Sequence, residues 1–470
     1  IVSTLVLARL LVPADFGLVA MAMSVIAVLE LITSFSFDVA LIQKPQLRRE
    51  HYDTAWTLNV LLSCACAGLV AVLAYPSALL YEEPRLFEVM LVLASGWLLS
   101  GFENTGIVDF RRVLDFRREF YFLAAKRVLG FGITVTLAIA LRSYWALVIG
   151  TLAGRAIGVL LSYILHDFRP RPSLAATREL FAFSGWLLVN NLLLVAQAKV
   201  PHFVVGRVFG PDELGLYTVG SDIAQIPSAD LLAPINRVVF PGLSRQAANP
   251  DQMRSTFLDV TAVTAVFAVP AAFGLAAVAQ PLVLVLLGQK WLEAVPIVQT
   301  LAFVSAIYGV TSINGAAYLA LGEPRFITTI ATLRLALLIP LVSLLTRSHG
   351  LQGAAFAELA AVVLGFGASA GMILWRLGIP ARKFFARLWR PVAASAVMGH
   401  AVLALVDRWP AAASSLAALP LLLAAVALGI VIYFATLGLI WYVSGRPPGA
   451  ERLLLDRLSQ WSGRKGSGAG

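Results

Sequence analysis

The sequence predicts an all-α membrane protein of about fourteen transmembrane helices, and three observations carry that expectation. The 470 residues are 59% hydrophobic and only 13% charged, where an ordinary soluble domain carries about 25% charged residues. Apolar runs recur along the whole length, most of them reaching the roughly 20 residues that a helix needs to cross a bilayer. Basic residues collect in alternate loops, the pattern that orients polytopic proteins. A soluble chain of this length would form several domains, each with a polar surface. At a mean hydropathy of +0.83 this sequence lacks the residues for such surfaces, so lipid must cover them.

Spans are read as apolar runs between charged or Pro/Gly breaks. The chain opens at Ile1, inside the short apolar stretch 1–7, so the first helix is expected to be truncated, and no cleavable signal is legible. The following spans fall near 16–42, 54–76, 86–108, 119–141, 143–165, 180–206, 212–243, 257–280, 292–321, 326–346, 350–375, 391–407 and 413–444. Pro281, after a long uncharged run, predicts that the ninth span ends in a re-entrant or interfacial piece.

With this count, 23 Lys and Arg fall in loops on one side and 7 on the other, one in each of the latter loops. The rule that cytoplasmic loops are positive then puts both ends of the chain in the cytoplasm. Residues 381–390 and 450–461 mix basic residues with Leu, Phe and Trp at helical spacing and are expected to lie along an anionic leaflet. The net charge of +10 is thus accounted for by loops. No basic patch on a soluble domain is present to bind nucleic acid. Cys64 and Cys66 read as inert thiols, and no metal motif or cofactor fingerprint is found.

An internal repeat organises the chain. Arg9, Pro13, Asp15, Gly17 and Leu18 recur as Arg207, Pro211, Glu213, Gly215 and Leu216, the pattern R-x-x-x-P-x-[DE]-x-G-L at a constant offset of 198 residues. Pro and Gly suit a tight turn, and the acid sits where the next helix dipole favours it. A looser match pairs Asn104 with Asn314 and Arg127 with Arg334. Six spans per repeat is an even number, so the two lobes run parallel, as in transporters with a site between halves. The expected divisions are an N-terminal lobe 1–166, a cytoplasmic linker 167–179, a C-terminal lobe 180–376, an interfacial segment 377–390, two appended spans 391–445 and a cytoplasmic tail 446–470.

The stretch from Leu5 to Ala20, LVLARLLVPADFGLVA, resembles the opening signature of the polysaccharide transporters, the Wzx-like flippases of the multidrug/oligosaccharidyl-lipid/polysaccharide exporter superfamily. Phe37-Asp38 with Leu41-Ile42-Gln43, and FRRVLDFRREF at 110–120, are similar to that family as well. The resemblance implies two six-helix lobes around a central cavity. The implied activity is moving undecaprenyl-diphosphate-linked sugar repeat units across the bacterial inner membrane, by alternating access and often with a coupling ion, for O-antigen, capsule or exopolysaccharide assembly. A polysaccharide polymerase is a possible partner.

Such a cargo calls for a solvated cavity with fixed positive charge. Six basic residues fall within spans, and a cation at mid-bilayer normally faces a cavity or a partner. Arg127, Arg155, Lys199 and Arg334 lie deepest and are the candidate diphosphate and sugar contacts, arginine offering a planar fork to two phosphate oxygens. Lys126 and Arg237 are expected to snorkel to the interface. Asn190, Asn191 and Asn314 are candidates to line a glycan path, and Asp222 and Glu103 to couple an ion. Each also has a plain structural reading, as an interhelical contact or an ion pair.

Competing functions are a lipid II flippase, a multidrug/cation antiporter, and a membrane glycosyltransferase or ligase. The antiporter is expected to have twelve spans and an acidic cavity. The enzyme would need catalytic groups on long outer loops, and the outer loops here are short, so no catalytic residue is assigned.

Overall fold

The computed structural model describes residues 2–33, 37, 41, 47–181, 185–227, 239, 241–246, 249–409, 415–447 and 449, and every regular element among them is helical. The chain divides into two compact units, Ile1–Thr218 and Val219–Gly470. The expected linker 167–179 therefore falls inside the first unit.

The first unit runs α1 (Val2–Leu10), α2 (Pro13–Thr33), α3 (Arg49–Tyr81), α4 (Arg85–Gly101), a 3-10 turn (Thr105–Ile107), α5 (Val108–Arg112), α6 (Phe116–Leu141), α7 (Trp145–Leu165), α8 (Thr177–Phe181) and α9 (Gly185–Phe209). Helix α10 (Pro211–Ala224) begins in it. Helix α3 packs on α4, α4 on α7, α6 on α7, and α2 on α9. Close approach of α6 and α7 depends on small residues: a Cβ at Gly130 would lie 3.2 Å from the Gly154 Cα.

Both copies of the repeated motif fold alike. Arg9 and Arg207 occupy the last turns of α1 and α9, while Asp15 and Glu213 fall in the first turns of α2 and α10. Pro13 and Pro211 are the first residues of α2 and α10, where the missing proline N–H leaves no bond unmade. The Asp15 carboxylate does more than face a helix dipole. It accepts the Val12 N–H at 3.1 Å and the Tyr144 N–H at 2.9 Å, tying the first turn to the α6–α7 loop.

The fourth span is broken. Helix α4 and the segment Thr105–Arg112 meet at 65°. Asn104 causes the break: its Oδ1 accepts the Gly106 N–H at 2.9 Å, and its Nδ2 donates to the Phe168 carbonyl at 2.7 Å. A side chain that satisfies backbone groups locally competes with the helical ladder. Beyond α7, residues 166–179 are laid along the start of α3 rather than hanging free. The Arg171 N–H donates to Asp53 Oδ1 at 2.8 Å, that of Ser173 to Thr57 Oγ1 at 2.9 Å, and that of Ala176 to Thr54 Oγ1 at 3.2 Å. His51 Nε2 faces Glu179 Oε2 at 3.3 Å.

The second unit comprises α11 (Pro250–Leu286), a 3-10 turn (Gln289–Ala294), α12 (Val295–Ala320), α13 (Arg325–Leu377), α14 (Ala381–Arg408) and α15 (Ser415–Val443). Helix α11 is its hub, contacting α12, α14 and α15. The Asn249 side chain starts it by accepting the Asp251 and Gln252 N–H groups, both at 3.2 Å. Contrary to the sequence expectation, Pro281 ends nothing: α11 runs through Pro270 and Pro281 without interruption. Neighbouring helices stabilise such a turn in spite of the lost bond. The expected break between 346 and 350 is present inside α13, where Gly350 (φ 62°, ψ −147°) separates two helices. The basic segment 381–390 and the span after it form one helix through Pro391.

Nine helices among the described residues are long and apolar enough to cross a membrane, ten if the bent pair at Asn104 is one span. These counts take the two arms of α13 as one helix.

Candidate functional site

Cavities form within each unit, and among the described residues a polar one lies in the first. A cavity of about 260 Å³ is lined by Asn59 and Ser63 of α3, Trp97 and Ser100 of α4, and Glu103 and Thr105 at the break. The Glu103 carboxylate holds Lys126 Nζ at 3.0 Å, each side chain about a third exposed or less. Lys126 thus has an acid partner rather than only the interface expected for it. Its stem passes over Gly158 of α7, where an added Cβ would lie 2.5 Å from Cε. The Arg155 guanidinium stacks over Trp97, a lining residue, at 4.5 Å, a contact that a ring quadrupole makes favourable. Of these three charged groups Glu103 lines the cavity, while Lys126 and Arg155 each contact a residue that does, Glu103 and Trp97.

Lys199 sits elsewhere in this unit. With His202, Thr134, Thr151 and Thr218 it lines a cavity of about 400 Å³ whose remaining wall is mostly apolar. His202 bonds the Ala198 carbonyl through Nδ1 at 3.0 Å and meets the Tyr217 ring edge-on. Arg127 is exposed on α6, one position and a sharp rotation from Lys126, and lines neither cavity. The side chains of Asn190 and Asn191, and Arg237, Asp38 and Asp230, lie outside the described residues. Asp222 is exposed on α10.

In the second unit, Arg334 lies over the Tyr308 ring at 4.3 Å and donates to the Tyr308 hydroxyl. Its stem crosses Gly365, 3.1 Å from where a Cβ would be. Asn314 is buried, and its Nδ2 donates to Ser369 Oγ at 2.9 Å, while the Tyr318 hydroxyl donates to the Ser369 carbonyl at 3.0 Å.

These contacts repeat those of the first unit. Ser162 accepts the Asn104 N–H at 2.9 Å, and Ser162 and Ser369 stand 207 positions apart, as do Gly158 and Gly365. The cation that crosses the glycine is Lys126 in one copy and Arg334 in the other. Sequence matching aligned Arg334 with Arg127, one residue away from the packing equivalent.

A third cavity has no polar character. It is a groove of about 510 Å³ between α11, α14 and α15, lined by Phe267, Pro270, Gly274, Met398, Gly429 and Phe434 among others. Sequence reading did not find it. The available signal, Ala271 and Gly274 facing Ala425 and Gly429 at helical spacing, serves equally for tight helix packing.

Among the described residues no group of three His, Cys, Asp or Glu side chains is placed to hold a metal. Helices long and apolar enough to cross a bilayer, with no other regular element among the described residues, define an all-helical, multi-pass membrane protein. The polysaccharide biosynthesis protein family matches residues 6–296, more than half of the sequence, and the chain belongs to that family. Among similar proteins, the succinoglycan biosynthesis transport protein ExoT of Rhizobium meliloti (strain 1021) is 26% identical over 311 residues, 65% of this chain and 62% of ExoT. The chain thus spans somewhat under two thirds of that relative. The lipopolysaccharide biosynthesis protein WzxC of Escherichia coli (strain K12) is 23% identical over 400 residues, 83% of this chain and 80% of WzxC. The lipid II flippase MurJ in an inward closed conformation matches the fold with a TM-score of 0.74 at 14% identity, over 95% of this chain and 98% of MurJ.

Proposed function

We propose that the chain is a flippase that carries undecaprenyl-diphosphate-linked oligosaccharide units from the cytoplasmic to the outer leaflet of the bacterial inner membrane. These units then feed O-antigen, capsule or exopolysaccharide assembly, with a polysaccharide polymerase as the acceptor of the product. The observation that carries this reading is the separation of chambers by polarity. The cargo has a glycan and diphosphate that need water and cations, and a polyprenyl tail that needs neither. The first unit offers a polar cavity beside Glu103, Lys126 and Arg155. The second offers an apolar groove large enough for isoprenyl units. A drug or cation antiporter has no use for the groove, and its cavity would be expected to carry acids rather than paired cations. The printed names of ExoT and WzxC, both in polysaccharide biosynthesis, support the same class of cargo. Lipid II remains the second reading, supported by the MurJ-like fold.

In this reading Arg127, Arg155, Lys199, Arg334, Asn190, Asn191 and Asn314 contact the head group, and Glu103 or Asp222 couples an ion. The six-span lobes are 1–166 and 180–376, and both termini are cytoplasmic. Deleting the gene and mapping lipid-linked oligosaccharide by leaflet tests the proposal. Repeat units retained on the cytoplasmic side, with surface polymer lost, are the expected result. Normal delivery to the periplasm accompanied by sensitivity to cationic dyes overturns it.

A further inference from the structure

The turn that joins α5 to α6, together with the first turns of α6, presents large apolar side chains outward at the edge of the candidate span Phe116–Leu141. Val113 is 69% exposed, Leu114 67%, Phe116 63% and, one helical turn on, Phe120 67%. Lipid-facing residues inside a span are expected to be exposed, as Phe116 and Phe120 are at the start of the candidate span Phe116–Leu141; Val113 and Leu114 precede that span. Leu114 also adopts φ 59°, the left-handed conformation that a residue with a Cβ enters only at a cost. A strained backbone that aims a leucine into water is unfavourable twice over, and strain of this kind persists where function holds it.

The charges around the turn are divided. Arg111 is paired with Glu119 at 2.5 Å and Arg118 with Asp115 at 3.4 Å. Arg117 has no acid within ion-pair distance among the described residues and rests on the Tyr121 ring at 5.7 Å. An exposed guanidinium on an aromatic face, next to apolar side chains, has the chemistry to hold a phosphate with its fork.

We propose that residues 113–121 insert shallowly into the cytoplasmic leaflet and that Arg117 holds the phosphate of an anionic phospholipid there. The occupant is a lipid because the patch joins apolar tips to a free cation at the mouth of two spans, the arrangement that an anionic leaflet complements. This rests on the membrane orientation proposed above.

The test uses the full-length protein with Cys64→Ser and Cys66→Ser, and a nitroxide attached at Leu114→Cys or, separately, Phe116→Cys. In vesicles of phosphatidylcholine and phosphatidylglycerol, relaxation by oxygen is expected to exceed that by an aqueous nickel chelate several-fold at both sites. Phosphatidylglycerol retained through detergent washing, read by native mass spectrometry, is expected to fall several-fold in Arg117→Gln and to stay unchanged in Arg142→Gln at the other end of the helix. Nickel-accessible labels overturn insertion and leave a cytoplasmic protein as the occupant of the patch. Leaflet-buried labels with unaltered lipid retention in Arg117→Gln overturn the phosphate site. Modification of these cysteines in intact cells by a membrane-impermeant reagent overturns the orientation instead.

Discussion

Gly17 and Gly215 occupy the two sides of one reciprocal contact in the first unit. A Cβ at Gly17 would strike the Pro211 carbonyl, and a Cβ at Gly215 would strike the Pro13 carbonyl. The two copies of the repeated turn, 198 residues apart, thus lie back to back, and each glycine is small because the other copy's backbone fills the space. Neither obstacle is a side chain that could move aside. Gly17→Ala and Gly215→Ala are each expected to destabilise the protein by about 1–3 kcal/mol, the usual range for overpacking. The check is thermal unfolding in detergent followed by size-exclusion fluorescence, with Gly68→Ala, which meets nothing nearby, as the silent control.

The Glu103–Lys126 pair separates a structural ion pair from an ion-coupling carboxylate. Its side chains are only partly buried, so breaking it costs about 1 kcal/mol, between the exposed and buried cases. If the pair is structural, Glu103→Gln and Lys126→Met each lower the melting temperature and the double substitution loses little more, as for coupled neighbours. If Glu103 couples an ion, Glu103→Gln abolishes the ion dependence of transport, which Lys126→Met leaves in place.

Asn104 holds the broken span, and Asn314 makes a simpler contact. The Asn104 side chain accepts the Gly106 N–H and donates to the carbonyls of Phe168 and Ser162, whereas that of Asn314 donates to Ser369. Asn104→Ala is therefore expected to cost more than Asn314→Ala, each lost buried bond being worth about 1–3 kcal/mol where a partner is left unsatisfied. Protease accessibility between 166 and 176 should rise in Asn104→Ala alone.

Filling the apolar groove should separate transport from folding. A Cβ at Gly274 has only the Met398 methyl nearby, at 3.7 Å. Gly274→Leu then occupies the groove without meeting backbone, so membrane abundance should hold while delivery of lipid-linked units falls several-fold in a leaflet assay. Equal delivery at equal abundance would remove the groove from the path.

Glu323, in the turn before α13, is bonded by Arg376 through Nε to both oxygens at 3.0 Å. The Arg376 guanidinium, whose Nη2 also stands 2.9 Å from Oε1, holds the Glu323 carboxyl below its usual range. A depressed carboxylate adds stability above its unfolded-state value, and the contribution disappears as pH falls through the folded one. The difference in melting temperature between the parent and Glu323→Gln should thus be small, present at neutral pH, and absent once acid has protonated the carboxylate.

Much of the fold class was legible because hydrocarbon punishes polar backbone, which makes spans long and apolar; the count of about fourteen was not matched by the nine or ten candidate spans among the described residues. The repeated turn was legible because proline and glycine each answer a backbone requirement that few residues meet. The 65° break at Asn104 was not, since an asparagine inside an apolar run announces equally a cap, an interhelical bond or a sugar contact. Pro281 misled for the opposite reason: proline weakens a helix locally, and packing against neighbours decided the outcome. The pairing of Arg127 with Arg334 missed the contact by one residue because a helix turns about 100° per residue, so a single slip moves a side chain to another face.

The stretch 166–179 reads as a slack connector between two halves, and the hydrogen bonds to Asp53, Thr54 and Thr57 make it a spliced seam instead. A seam has a register. Adding or removing a residue there would mismatch every stitch beyond the change, where a loose tether would absorb it, so this is a poor place for a tag or an insertion.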